Sequence, residues 1–336
     1  MTNLRTVNIG SFVSEKGIKF DNFKVTYRIF NDNLDLNRPV ILVNHALTGN
    51  SLAGGETGWW KDIIGNGKGV DTSIYNVICF DIPGNGHGGD EFLFEDYDRF
   101  STRDVAIIFK SALYKLGIIK LKAIVGGSIG GMIGWEISLT FPNFVENLIA
   151  VGSCLKTSDF VYGHCQVQDS IFNNAVDEKQ NLALCRSLAM LFYRGHESFD
   201  QKFNYAETNG ERSVKSYLDY QGKKLARRFS PKAYRVVNHL LKTHDSTRGR
   251  ENYLEAIKNS GSKISIVGIS TDILFPLEEN YSIYRTLKNY GIEANFDKID
   301  SHHGHDGFFV ETEQLNQIIK KSLGEKAVTK RRHFIV

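Results

Sequence analysis

Ser128 sits in Gly126-Gly127-Ser128-Ile129-Gly130, a G-x-S-x-G pattern. Glycines around a serine permit a turn too tight for side chains, which lifts the hydroxyl clear of the backbone at the start of a helix. A hydroxyl held that way suits attack on an acyl carbon, with a covalent intermediate. Serine needs a base, and the base needs a group to orient it. Downstream, Ser270-Thr271-Asp272-Ile273-Leu274-Phe275-Pro276 offers Asp272, and Ser301-His302-His303-Gly304-His305-Asp306-Gly307 offers three histidines. The order Ser, Asp, His along the chain is the usual one for this motif. Asp272 could instead cap a helix running over residues 274–284. Spacing alone does not choose among His302, His303 and His305. A metal site built on these histidines lacks a further ligand at suitable spacing, so no metal is expected.

An acyl-transfer site also needs two backbone N–H donors for the oxyanion. One is expected from Ile129, the residue after the serine. The other is expected from Leu47, in the loop Asn44-His45-Ala46-Leu47-Thr48-Gly49-Asn50. His45 in the same loop reads as a brace rather than a catalyst.

These groups need a scaffold that brings them to one edge. Residues 24–30 alternate as a strand. Residues 39–44, 76–81, 121–126 and 145–153 form short apolar runs, as do 263–269, and 293–299 resume the strand pattern. Short apolar runs are typical of strands buried on both faces. Val105, Ile108, Phe109, Ala112, Leu113 and Leu116 recur at helical spacing, and an apolar helix covers residues 133–139. Strands alternating with helices imply a mainly parallel sheet with right-handed crossovers. Such sheets bind ligands at the carboxyl edge of the strands, where Ser128, Asp272 and the histidines all fall. Residues 158–255 change character and read as a helical cap. The expected organisation is core 1–157, cap 158–255 and core again 256–336.

Composition narrows the classes of function. The chain has 336 residues, 41% hydrophobic and 24% charged, with a net charge of +3. That is ordinary globular composition, and nothing in it calls for a nucleic-acid or membrane partner. The basic tail Lys330-Arg331-Arg332 reads as a solvated terminus. Cys79, Cys154, Cys165 and Cys185 show no pairing or zinc pattern and read as free thiols. The start of the chain lacks a signal-peptide pattern, and no apolar run reaches the roughly 20 residues of a membrane span. A cytoplasmic protein is expected.

The elbow Gly-Gly-Ser-Ile-Gly-Gly-Met and the loop Asn-His-Ala-Leu-Thr-Gly-Asn together resemble the homoserine O-acetyltransferase family, which has the α/β-hydrolase fold. The cap carries similar motifs: Tyr193-Arg194 with Ser198-Phe199 and Lys202-Phe203, then Ser216 to Lys224 with Arg228-Phe229, then Asp245 with Arg248-Gly249-Arg250. Leu274-Phe275-Pro276 and Gly304-His305-Asp306-Gly307-Phe308-Phe309 extend the likeness, which covers about residues 5–320. The resemblance implies Ser128 as nucleophile, Asp272 as orienter and His305 as base, with Leu47 and Ile129 as oxyanion donors. It points to Arg194 for the substrate carboxylate and Asp306 for its amine. It also implies a homodimer through the cap, no bound cofactor, and acyl-CoA as co-substrate. One segment departs from the family: Asp81-Ile-Pro-Gly-Asn-Gly-His-Gly-Gly-Asp90 resembles the ordinary Asp-x-x-Gly-x-Gly loop of α/β hydrolases. An acyltransferase acting on homoserine, a transferase using a related acceptor such as serine, and a hydrolase using water share the acyl-enzyme. A silent binding protein would not need the full set of catalytic groups.

Overall fold

A computed structural model describes residues 3–31, 33–174 and 177–325. The basic tail therefore lies outside the described residues. The strands are β1 (Arg5–Val13), β2 (Lys19–Ile29), β3 (Val40–Asn44), β4 (Asn76–Phe80), β5 (Ala123–Gly127), β6 (Asn147–Val151), β7 (Glu207–Thr208), β8 (Glu211–Arg212), β9 (Lys263–Ile269) and β10 (Ala294–Ile299). Eight of them form one sheet in the order β1-β2-β4-β3-β5-β6-β9-β10. The β1–β2 and β2–β4 pairs are antiparallel, and every pair from β4 to β10 is parallel. Every residue of β3, β4, β5 and β6 is buried. That is the physical reason their sequences are continuous apolar runs rather than alternating ones.

Helices α1 (Thr102–Lys115) and α2 (Ile129–Thr140) flank the sheet before the cap. Ser101 and Asp104 close a capping box that fixes the start of α1. Between β6 and β9 the chain runs through α3 (Asp159–Asn174), α4 (Glu178–Tyr193), α5 (His196–Phe203), α6 (Ser213–Arg228), α7 (Pro231–Thr243) and α8 (Tyr253–Asn259). The hairpin β7–β8 interrupts this helical run between α5 and α6. After β9 come α9 (Leu277–Asn289), α10 (Gly307–Val310) and α11 (Thr312–Ser322). Apolar side chains pack on both faces of the sheet. One cluster holds Leu42, Ile78, Phe109 and Trp135, and the other Val43, Val77, Val125 and Phe308. Among the described residues no helix is long and apolar enough to cross a membrane.

Candidate active site

The turn from β5 into α2 places Ser128. Its backbone has φ 58° and ψ −130°, a conformation that non-glycine residues rarely adopt. Contacts on both sides hold that strain in place. The Ser128 N–H donates to the Val151 carbonyl of β6 at 2.8 Å. On the other side the Asn44 side-chain amide donates to the Gly130 carbonyl at 3.0 Å. A Cβ on Gly130 would stand 2.4 Å from the Asn44 carbonyl oxygen, and one on Gly126 would stand 2.4 Å from the Gly130 backbone. Both positions therefore need glycine, because the helix start touches the end of β3 at Gly130 and the end of β5 at Gly126, backbone to backbone. The contact brings the loop of Leu47 to the N-terminus of α2. There the Ile129 N–H belongs to the first turn, which has no intrahelical partner. Leu47 and Ser128 line one cavity of about 680 Å³.

Asp272 follows β9, and His305 lies in the short turn Gly304–Asp306 after β10. His305 Nδ1 stands 2.7 Å from Asp272 Oδ2. The other carboxylate oxygen, Oδ1, accepts from the backbone N–H groups of Leu274 at 2.9 Å and Phe275 at 3.0 Å. The capping alternative for Asp272 thus has a local counterpart. It caps the turn 272–275, whereas the following helix, α9, starts only at Leu277. Burial by itself would lower the pKa of His305. The charge and hydrogen bond of Asp272, with a contribution from Asp306, outweigh burial and raise it. Gly152, at the end of β6 with φ 48°, leaves room for the pair: a Cβ there would lie 3.3 Å from Asp272 Oδ2 and 3.4 Å from the His305 ring. Side chains of Thr271 and Ser270 stitch the two loops together through Ser301 and Gly304.

The other histidines have different work. His303 Nδ1 lies 3.2 Å from both Arg194 Nη1 and Ser198 Oγ, and the His302 ring lies tilted against the His303 ring with centres 3.9 Å apart. His45 braces its loop. Its Nε2 accepts from the Ile82 N–H at 3.0 Å, which leaves Nδ1 protonated to donate to the Ala46 carbonyl at 2.8 Å. Burial lowers its pKa, consistent with a neutral ring. All four cysteines are buried thiols. Among the described residues no group of three His, Cys, Asp or Glu side chains is placed to hold a metal ion.

Arg194 and Asp306 lie together, but only Asp306 reaches the cavity. Arg194 Nε stands 2.9 Å from Asp306 Oδ2, off the axis of a good hydrogen bond. The rest of Arg194 lines a neighbouring cleft with Ser198, Lys202 and Tyr217. Arg194, expected to bind the substrate carboxylate, therefore sits directly behind Asp306 at the edge of the cavity. Arg194 is the C-cap of α4, with extended backbone angles φ −108° and ψ 136°. Arg186, two turns earlier on α4, does line the cavity beside Tyr193. Its guanidinium lies 5.3 Å from the centre of the Tyr193 ring, which in turn lies 5.9 Å from His305. Sequence reasoning missed Arg186, and it named Lys224 and Arg228 of α6 only as family-like motifs, without a role; both line the same cavity.

The arrangement can carry out acyl transfer. It offers a nucleophile buried at the cavity wall, a buried imidazole held by a carboxylate, two candidate amide donors, and a cation with an anion beside them. The profile of the α/β hydrolase fold matches residues 39–312. The chain is similar to the homoserine O-acetyltransferase of Cyclobacterium marinum, 33% identical over 91% of each chain. Among solved structures it is similar to the homoserine O-acetyltransferase of Bacillus anthracis, with a TM-score of 0.87 at 19% identity over 97% of this chain and 98% of that one. It is also similar to esterase E22, with a TM-score of 0.84 at 20% identity over 96% of this chain and all of that one.

Proposed function

We propose, for a chain that belongs to the homoserine O-acetyltransferase family of α/β-hydrolase-fold enzymes, that it moves an acetyl group from a CoA thioester to the hydroxyl of L-homoserine. The observation that carries this reading is one cavity that holds Ser128 and His305 together with a cation, Arg186, and an anion, Asp306. Water as acceptor needs neither charge. An α-amino acid needs both.

In this mechanism His305 takes the Ser128 proton as Oγ attacks the thioester carbon. The oxyanion of the tetrahedral intermediate rests on the Leu47 and Ile129 amides. Collapse breaks the C–S bond, and the thiolate leaves with the proton from His305. Homoserine then enters, with its carboxylate on Arg186 through paired charge-assisted hydrogen bonds. Its ammonium sits on Asp306. His305 removes the hydroxyl proton, the oxygen attacks the acyl carbon, and the second collapse restores Ser128 with the proton from His305. Asp272 holds the imidazole in the tautomer that leaves Nε2 free and stabilises the imidazolium at each step. Arg194 works through Asp306, fixing the direction of its carboxylate.

A steady-state assay with acetyl-CoA and homoserine tests the reading. Parallel double-reciprocal plots and one acetyl mass on the Ser128 peptide, without acceptor, are expected. Hydrolysis that homoserine does not intercept would leave the esterase alternative standing. We further assign a second copy of the chain to the cap, where Phe160, Tyr162 and Val167 of α3 and Leu184 and Leu191 of α4 are exposed. Sedimentation should then report a dimer. Four buried thiols suit the reducing cytoplasm, which is the compartment we assign.

A further inference from the structure

The charges lining the cavity do not balance. Arg186, Lys224 and Arg228 face it, against one carboxylate, Asp306, that Arg194 already holds. Among the described residues none of these three cations forms an ion pair. The one acid on α6, Asp219, is taken by Lys215 at 3.8 Å. From Lys223 to Arg228 the helix then carries four cations and no acid. Arg228 donates to the Thr48 carbonyl at 3.0 Å, which ties α6 to the loop of Leu47 and leaves its charge unneutralised. Like charges gathered without counter-ions are held at a cost that an anionic ligand relieves.

The acceptor accounts for only part of this excess. Homoserine brings one carboxylate, which Arg186 meets close to Tyr193 and His305, and one ammonium, which Asp306 meets. Lys224 and Arg228 remain. They stand one turn apart on α6 and are exposed, so they mark the solvent side of the cavity. A second, more highly charged anion must therefore enter from that side. The acyl donor of the proposed reaction is a thioester whose carrier ends in phosphate groups.

We infer that Lys224 and Arg228 form a subsite for the phosphates of the acyl donor's carrier, distinct from the acceptor's carboxylate on Arg186. This rests on the transferase reading and adds a specificity device to it: the site selects a phosphorylated thioester over the same thioester without phosphate. Exposed phosphate contacts are screened by salt, so the selection weakens as ionic strength rises.

The test compares acetyl-CoA with acetyl-pantetheine, which carries the same thioester and no phosphate. The readout is the ratio of their kcat/KM values, in the wild type and in Lys224→Gln, Arg228→Gln and the double variant. The ratio should favour acetyl-CoA in the wild type and fall about 3–20-fold in the double variant, as two exposed ion pairs would give. Sodium chloride should lower the wild-type ratio and barely move that of the double variant. Because Arg228 also holds Thr48, Lys224→Glu serves as the second variant. It reverses one charge without touching that tether and should lower the ratio at least as far as Lys224→Gln. A ratio near one in the wild type, or an unchanged ratio in the double variant and Lys224→Glu, overturns the subsite. Calorimetry with coenzyme A and with pantetheine separates this from failure of the transferase reading. Tighter binding of coenzyme A that the double variant loses supports the subsite even if homoserine accepts no acyl group. Equal binding of the two probes refutes it even if homoserine does.

Discussion

Replacing Asp272 by asparagine should nearly abolish acylation while the fold survives, and the structure says why. Asp272 Oδ1 accepts from two backbone N–H groups, and Oδ2 meets His305 Nδ1 at 2.7 Å. Asparagine has one oxygen and one NH₂ for these two places. With its oxygen on the Leu274 and Phe275 amides, its NH₂ faces His305 Nδ1. The ring must then accept at Nδ1 and carry its proton on Nε2, where it cannot take one from Ser128. The flipped orientation sets NH₂ against two buried donors and leaves both unpaired, at about 1–3 kcal/mol each. The orientation with the inactive tautomer therefore wins. Removal of the orienting carboxylate in such a triad costs about 10⁴-fold, or about 5.4 kcal/mol at 1.36 kcal/mol per decade. The charge change adds a second signature. Burial lowers the pKa of His305 and Asp272 is the first influence that raises it, so the variant's imidazole should titrate lower than the wild type's. Stopped-flow release of p-nitrophenol from p-nitrophenyl acetate, followed against pH, reads both effects, with a thermal melt to check the fold. A loss of less than tenfold, or an acid limb that stays in place, would refute the reasoning.

Ser128→Ala should lose about 10³-fold or more in acyl transfer and no longer gain an acetyl mass from acetyl-CoA, as peptide mass spectrometry will show. In the wild type the acid limb of kcat/KM should lie above the ordinary histidine value of about 6.5. Although burial opposes it, Asp272 and then Asp306 raise the pKa of His305, so Asp306→Asn should move that limb to lower pH. Arg186→Gln should raise the KM for homoserine or slow deacylation by the equivalent of about 2–5 kcal/mol, with Ser128 acylation nearly unchanged. Arg194→Gln should do the same more weakly, because it acts through Asp306. If Arg194→Gln proves the more damaging variant in steady-state homoserine kinetics, the assignment of the two arginines is reversed.

Much of this was legible in the sequence, for physical reasons that differ by segment. The central strands announce themselves because burial on both faces demands unbroken apolar runs. The elbow does so because only glycine tolerates the approach of Gly130 to Asn44. Two strand features escaped. β1 alternates only weakly, from Thr6-Val7 to Phe12-Val13, with bulges around Gly10, as an edge strand can. The β7–β8 hairpin is just two residues per strand, yet Asn209-Gly210 with φ of 54° and 77° is the turn pair such hairpins favour. A polar helical neighbourhood hid that signal. The choice of His305 over His302 and His303 came from family likeness. Only the fold shows that His303 faces Arg194 and Ser198 instead of Asp272.

In the proposed reading the acceptor's cation follows from helix periodicity rather than from the adjacent motif. Tyr193 and Arg194 are adjacent, and their neighbourhood draws the eye to the arginine beside the tyrosine. On a helix, adjacent residues point about 100° apart, whereas residues seven apart return to nearly the same face. Arg186 is seven before Tyr193, so the helix itself pairs these two over the cavity. Arg194 falls where the helix has ended and is free to turn behind Asp306. Each arginine then has a physical role set by its place on α4. One, at the cavity wall, is the proposed partner of the incoming carboxylate. The other, off the helix, holds an anion that stays. On the proposed reading that division supplies a cation for a carboxylate and a carboxylate for an ammonium, in the cavity that also holds Ser128 and His305. On that reading water as acceptor would use neither charge, and a hydroxy amino acid would use both.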